Sequence, residues 1–110
     1  MNTTHQLIEG AFQAESGRVL AALFARLHDG GRQVALATTD DRRPTERTLA
    51  TLGVAAEIDA IVCADDGIEV KPAPDMVLHL CAVLGVVPAR TAVVGDAPAD
   101  LWMARAAGAG

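Results

Sequence analysis

Tyrosine is absent from these 110 residues, and two phenylalanines and one tryptophan are the only aromatics. A core must therefore be assembled from aliphatic side chains, which the 51% apolar content supplies. Positive charge is also scarce. Nine Lys and Arg face 14 Asp and Glu, for a net charge of −5. Nucleic-acid backbones select basic faces, so this balance argues against a nucleic-acid partner. It leaves room for a small phosphorylated ligand, which needs only local positive charge. No apolar run approaches the length of a membrane span, so no membrane role is readable. Met1 to Gly10 carries no basic region followed by an apolar stretch, so no secretory signal is expected. The two cysteines, Cys63 and Cys81, are isolated. Without a CxxC spacing they make neither a zinc site nor a disulfide framework, and two buried thiols in a reducing cytoplasm are expected. There is no internal repeat and no low-complexity linker, and the length suits one small domain.

What is present alternates between helical and strand patterns. Leu7, Ile8, Ala11 and Phe12 recur at helical spacing, which predicts a helix within residues 2–15 despite Gly10. Residues 17–29 are predicted as a helix with Ser16 as N-cap. Its apolar stripe is expected to be Val19, Leu20, Leu23, Phe24 and Leu27, and Gly30 and Gly31 end it. Residues 33–38 are apolar without alternation, as in a strand covered on both faces. Pro44 is expected to begin a short helix that ends at Leu52. The stretch 58–64 is a second strand, and Asp65, Asp66 and Gly67 turn after it. Residues 74–84 read as a helix with Met76, Val77, Leu80, Cys81 and Leu84 inward. Residues 91–94 are a third strand and 98–107 a last helix. This order implies a parallel, Rossmann-like α/β sheet. Arg42 and Arg43 form the one basic cluster, and a solvated loop accounts for it.

Two stretches carry chemistry. Residues 71–75 read Lys-Pro-Ala-Pro-Asp. Residues 91–100 run through three apolar residues into Gly95 and Asp96, with Asp100 four positions on. A strand that exits through Gly-Asp before a helix places Asp96 at the carboxyl end of a sheet, where open α/β sheets bind ligands. Pro98 suits the first helical turn. Mg²⁺ takes one or two carboxylates together with substrate oxygens and water. Asp96 could ligate directly, and Asp100 could hold a metal-bound water or brace the loop. Lys71 would give a fixed charge for a phosphate. A solvated turn with two surface aspartates and a surface lysine is the plain alternative.

Taken with Thr38 at the end of an earlier strand, these stretches resemble the haloacid dehalogenase-like superfamily of phosphohydrolases, closest to its phosphoglycolate phosphatase-like branch. Leu-Ala-Thr-Thr-Asp at 36–40 is similar to the family's second motif. Lys-Pro-Ala-Pro-Asp is similar to its third, and Val-Val-Gly-Asp-Ala-Pro-Ala-Asp at 93–100 to its fourth. The resemblance spans roughly residues 16–110. It implies that Thr38 bonds a phosphoryl oxygen, that the N–H of Thr39 adds to that cradle, and that Lys71 neutralises the phosphoryl group. It implies Mg²⁺ as cofactor, with Asp96 as ligand and Asp100 in support, and a small phosphorylated metabolite as substrate. For Thr38 alone, a strand-end hydroxyl satisfying a local backbone group is the alternative.

The family's first motif, an Asp-x-Asp pair whose first Asp is the nucleophile, is found nowhere in this sequence. The expectation is therefore a partial three-layer, Rossmann-like core over 16–110, with the first and last strands of its sheet missing. Residues 1–15 would be the remnant of a cap or linker helix. Strands 33–38 and 91–94 would flank an unfilled slot, which an N-terminal segment or a partner chain would occupy. The chain alone is expected to be inactive. Two other readings stand beside this one. One is a non-catalytic relative that binds a phosphorylated ligand or a protein. The other is a receiver-like signalling domain, in which the Lys-Pro-Ala-Pro-Asp stretch has no place.

Overall fold

A computed structural model describes residues 2–3 and 14–110. The helix expected within 2–15, and with it the cap remnant, lies almost wholly outside the described residues. The elements in order are β1 (Asn2–Thr3), α1 (Ala14–Asp29), β2 (Ala35–Ala37), α2 (Arg42–Leu52), β3 (Ala60–Val62), α3 (Asp75–Leu84), β4 (Thr91–Ala92) and α4 (Pro98–Ala107). Short 3-10 turns at 55–57, 64–66 and 88–90 complete the connections.

β2 pairs in parallel with β3, Ala35 opposite Ala60 and Ala37 opposite Val62. Successive side chains of a strand point to opposite faces. Ala35, Ala37 and Val62 accordingly enter one core with Met76, Val77, Leu80 and Cys81 of α3 and Met103 of α4. Val34 and Leu36 enter a second core with Phe24 of α1, Leu49 and Leu52 of α2, and Val54. Ile61 packs on that second side. Two helices on each face of a parallel strand pair make the expected three-layer α/β fold.

β1 pairs in parallel with β4. The carbonyl of Thr91 and the N–H of Val93 both bond Gly110, at 2.9 and 3.0 Å. Backbone groups of successive residues face opposite edges of a strand, so those of Ala92 point away from Gly110 and β1 lies along that other edge of β4. β2 and β4 are not hydrogen-bonded to each other. No described strand is hydrogen-bonded to both, and β4 is not bare as expected, since the two-residue β1 pairs with it.

Several boundaries differ from expectation. α1 begins at Ala14, so Ser16 lies inside the helix rather than capping it. Its buried side is also rotated. Gly17 and Phe24 are buried, and Leu20, Ala21 and Leu27 half-buried, whereas Val19 is 68% and Leu23 49% exposed. Gly17 explains the rotation: a Cβ there would overlap the carbonyl of Leu52, so the helices approach most closely along the Gly17 side. α2 starts at Arg42, two residues before Pro44. Pro44 then falls in the first turn, where an absent N–H loses no helical bond. The strands are shorter than their apolar runs. α3 and α4 match expectation, with Met76, Val77, Leu80 and Cys81 buried and Gly85 in the left-handed conformation that ends α3. Both cysteines are free and buried.

The rotation of α1 gives a direct expectation for two neighbours in sequence. Phe24→Ala should cost about 3–5 kcal/mol, and Leu23→Ala should stay within about 0.5 kcal/mol. Urea denaturation of the two variants checks this. Comparable losses would contradict the helix orientation.

Candidate phosphate and metal site

The carboxyl ends of β2 and β4 lie where the sequence places its chemistry. Lys71 follows β3 by a loop whose Lys71–Pro72 peptide is cis. Its ammonium reaches the end of β2, where it donates to the Ala37 carbonyl at 3.5 Å. It also meets Asp100 Oδ1 at 2.5 Å, with only 8% and 11% of the two side chains exposed. Asp100 sits in the first turn of α4, and its Oδ2 accepts the Ala97 N–H at 3.2 Å. A carboxylate there also complements the positive end of the helix dipole. Gly95 is required by this packing, since a Cβ on it would overlap the Asp100 carboxyl.

Thr38 is buried, and its N–H continues the β2–β3 ladder by donating to Val62 O at 3.1 Å. Its Oγ1 accepts the Asp40 N–H at 3.1 Å. The hydroxyl therefore does satisfy a local backbone group, and its own proton is left to donate. Thr39 and Asp96 are exposed on the loops that leave β2 and β4. The structure thus joins Lys71 to Asp100 directly and to Thr38 through the adjoining Ala37 carbonyl. Asp96 and Thr39 bond none of the other candidates.

Both oxygens of Asp100 are engaged, whereas Asp96 makes no hydrogen bond or ion pair among the described residues. No group of three or more His, Cys, Asp and Glu that could hold a metal ion occurs among them. This donor set does not build a cage. A hard cation here would have Asp96 as its one available protein carboxylate, with water or ligand oxygens making up the rest of its shell.

The sequence reading missed what fixes the Thr38 loop. Arg42, expected in a solvated loop, is bound. Its backbone N–H donates to Asp65 Oδ1 at 2.9 Å. Its guanidinium meets Asp66 at 2.8 and 3.2 Å and donates to the Ile61 carbonyl at 3.1 Å. This fork-to-carboxylate geometry is the strong form of an ion pair. The Arg42 hydrogen bond, aided by the Cys63 N–H, holds the Asp66 carboxyl below its ordinary range. Burial pushes the Cys63 thiol up, against the pull of the Arg42 charge. Asp40 O accepts the Ala64 N–H at 3.0 Å, so the turns after β2 and β3 are tied together twice. The available signal was an acidic pair, Asp65–Asp66, in the loop after the neighbouring strand.

A family model for haloacid dehalogenase-like hydrolases matches residues 14–108. The phosphoglycolate phosphatase (plasmid) of Cupriavidus necator is 33% identical over 84 residues, covering 76% of this chain and 36% of that protein. The fructose-1-phosphate phosphatase YqaB of Escherichia coli K12 is 39% identical over 79 residues, covering 72% and 42%. The chain spans about two fifths of the length of these curated relatives. The solved core domain of a proposed phosphoglycolate phosphatase from Streptococcus pneumoniae superposes with a TM-score of 0.79, covering 98% of this chain and 75% of that one. At 20% identity this last likeness speaks for the fold. Among the described residues, no helix is long and apolar enough to cross a membrane.

The near-buried ion pair has a measurable signature. Asp100→Leu should cost about 3–5 kcal/mol, because it strands the Lys71 ammonium, and the double variant Lys71→Met/Asp100→Leu should recover most of that loss. Denaturant titration of the single and double variants measures the coupling. Additive losses would show that the pair is not coupled.

Proposed function

Because this chain belongs to the haloacid dehalogenase-like hydrolase family, we propose that it forms the phosphate-gripping and metal-holding part of a phosphate monoester phosphatase. The observation that carries this reading is the Lys71 ammonium, fixed at the end of β2 beside Thr38. Phosphoryl transfer asks a protein mainly for positioning and charge stabilisation, and these residues supply both. The Thr38 hydroxyl donates its proton to a phosphoryl oxygen while its oxygen keeps the Asp40 N–H. The Thr39 N–H adds a second donor. Lys71 balances the phosphoryl charge, and Asp100 keeps Lys71 from swinging away. Asp96 contributes the carboxylate for Mg²⁺, with Asp100 bracing its loop. When bound, the cation supplies a second positive charge to the phosphoryl oxygens.

Attack on phosphorus needs a group these 110 residues do not carry as an Asp-x-Asp pair. In this reading a strand bearing that pair comes from a segment or partner chain outside them and docks between β2 and β4, displacing β1 from β4. The substrate is a small phosphorylated metabolite, in keeping with the phosphoglycolate and fructose 1-phosphate of the relatives' names. The two unpaired buried thiols suit action in a reducing cytoplasm.

Inorganic phosphate should raise the melting temperature, with about 1.4 kcal/mol of stabilisation at ten times its Kd. Lys71→Ala should lose that increment, whatever its own melting point. The chain alone should not turn over p-nitrophenyl phosphate with Mg²⁺, and a segment carrying a strand and Asp-x-Asp should restore turnover. Hydrolysis by the chain alone that vanishes in Asp96→Asn would overturn the division of labour. Phosphate binding with no turnover even after complementation would favour a non-catalytic phosphate-binding relative. That alternative draws on the engagement of both Asp100 oxygens.

A further inference from the structure

Away from the strand ends, one cluster of titratable groups is left unused by the proposed function. His28, in the last turn of α1, places Nδ1 3.2 Å from Glu57 Oε1 and Nε2 2.8 Å from Asp59 Oδ2. An ionised carboxylate only accepts hydrogen bonds, and a neutral imidazole donates from one nitrogen alone. Two carboxylates on the two ring nitrogens can both be satisfied only by the doubly protonated, cationic ring. Asp59 is itself built into the fold. Its Oδ2 accepts the Val34 N–H at 2.7 Å, and its own N–H donates to the Val34 carbonyl, also at 2.7 Å. Val34 is fully buried and leads directly into β2, the strand that runs up to Thr38.

We infer that His28, Glu57 and Asp59 form a pH-operated clasp that fastens the start of β2 to the end of α1 when the imidazole is protonated and slackens when it is neutral. The groups facing His28 are consistent with this. Glu57 and Asp59 approach from the segment before β3. Arg26 and Asp29 are its charged neighbours on α1, and Arg32, whose side chain folds over Gly30, lies on the loop leading to β2. α2 meets α1 through apolar Leu49 and Leu52. The ring is about a third exposed, so protons reach it freely. The Asp59 hydrogen bond, opposed by partial burial and aided by Glu57, raises the His28 pKa above its ordinary 6.5. A raised value on a cationic group means that its stabilisation is complete below the unfolded value. That stabilisation fades as pH climbs from about 6.5 through the folded value. The clasp lies at the far end of β2 from Thr38, so pH governs how firmly the base of that strand is held.

The test is an NMR titration of the assigned His28 ring, separated from His5 and His79, with thermal melts of the 110-residue chain at pH 5.5 and 8.5. His28 should titrate above its ordinary value, and Glu57→Gln and Asp59→Asn should each lower that midpoint. The wild type should melt above His28→Gln by about 4 °C or more at pH 5.5, and the gap should close at pH 8.5. The Val34 amide should exchange faster relative to His28→Gln as the ring deprotonates. A His28 midpoint at or below its ordinary value, or a melting gap that does not change with pH, would overturn the clasp. If His28→Gln does not fold, the midpoints in wild type and Glu57→Gln decide the question alone.

Discussion

A strand with no polar side chain on either face can persist only between two apolar layers, and β2 imposes this condition on everything around it. Ala35 and Ala37 are short, so α3 comes close and fills that side with Met76, Val77, Leu80 and Cys81. Val34 and Leu36 are longer, and Phe24, Leu49 and Leu52 close over them from the other side. Burial on both faces also leaves the strand only its edges for hydrogen bonding. β3 takes one edge, in register from Ala35 to Ala37. The polar groups at the carboxyl end must then be met where the strand emerges, and Ala37 O and Thr38 Oγ1 are met there, by Lys71 and by the Asp40 N–H. The candidate site is thus the place where a fully apolar strand returns to polar surroundings.

That return is controlled by charge pairs of unequal kind. Lys71–Asp100 is almost dry, so it contributes more to fixing geometry than to net stability, because desolvation offsets much of the attraction. Each partner is needed to keep the other from being a buried, uncompensated charge. Arg42–Asp66 is wetter and geometrically better, and it ties the turn after β3 to the first turn of α2. A phosphate arriving at Thr38 would therefore meet a lysine already engaged by Asp100. Any such binding would have to compete with Asp100 for Lys71.

The parts of the fold read correctly from sequence are those where one local signal decides. α4 begins at Pro98 and runs to Ala107 because Pro98 and the glycine at 108 bracket it. α3 shows its buried face because Met76, Val77, Leu80 and Cys81 form one contiguous stripe at helical spacing, with Leu78 and Val83 left exposed outside it. α1 has apolar residues on two sides, and spacing alone cannot say which side is buried. The absence of a side chain at Gly17 settled that, and a stripe of large residues cannot register an absence. The candidate site residues were read as a set because they sit at strand ends within motifs that resemble the family's. Their mutual contacts were not, since Lys71 and Asp100 are 29 positions apart and His28 and Asp59 are 31. Arg42 was misread for the same reason. Its partners belong to the next loop, and a basic pair beside a turn looks solvated until that loop is in place.

The strand pairs β1–β4 and β2–β3 share no hydrogen bond, yet the proposed site takes residues from the ends of both β2 and β4. Something other than a continuous sheet must set the distance between Thr38 and Asp96. The helices do part of this. α3 packs under β2 and β3, and Met103 of α4 enters the same core. Cys81 of α3 touches Thr91 of β4, with Sγ 3.5 Å from Oγ1. The Lys71–Asp100 pair does the rest, since Lys71 is anchored on β2 and Asp100 belongs to the helix that follows β4. An apolar layer is tolerant in direction and an ion pair is not. The core therefore brings the two strand ends to the same side of the molecule, and the ion pair fixes how they face each other. Removal of the pair would leave the layers packed but the two halves of the site free to drift apart. In this arrangement the ion pair takes over a task that an intervening strand, with its hydrogen bonds to β2 and β4, would perform in a continuous sheet.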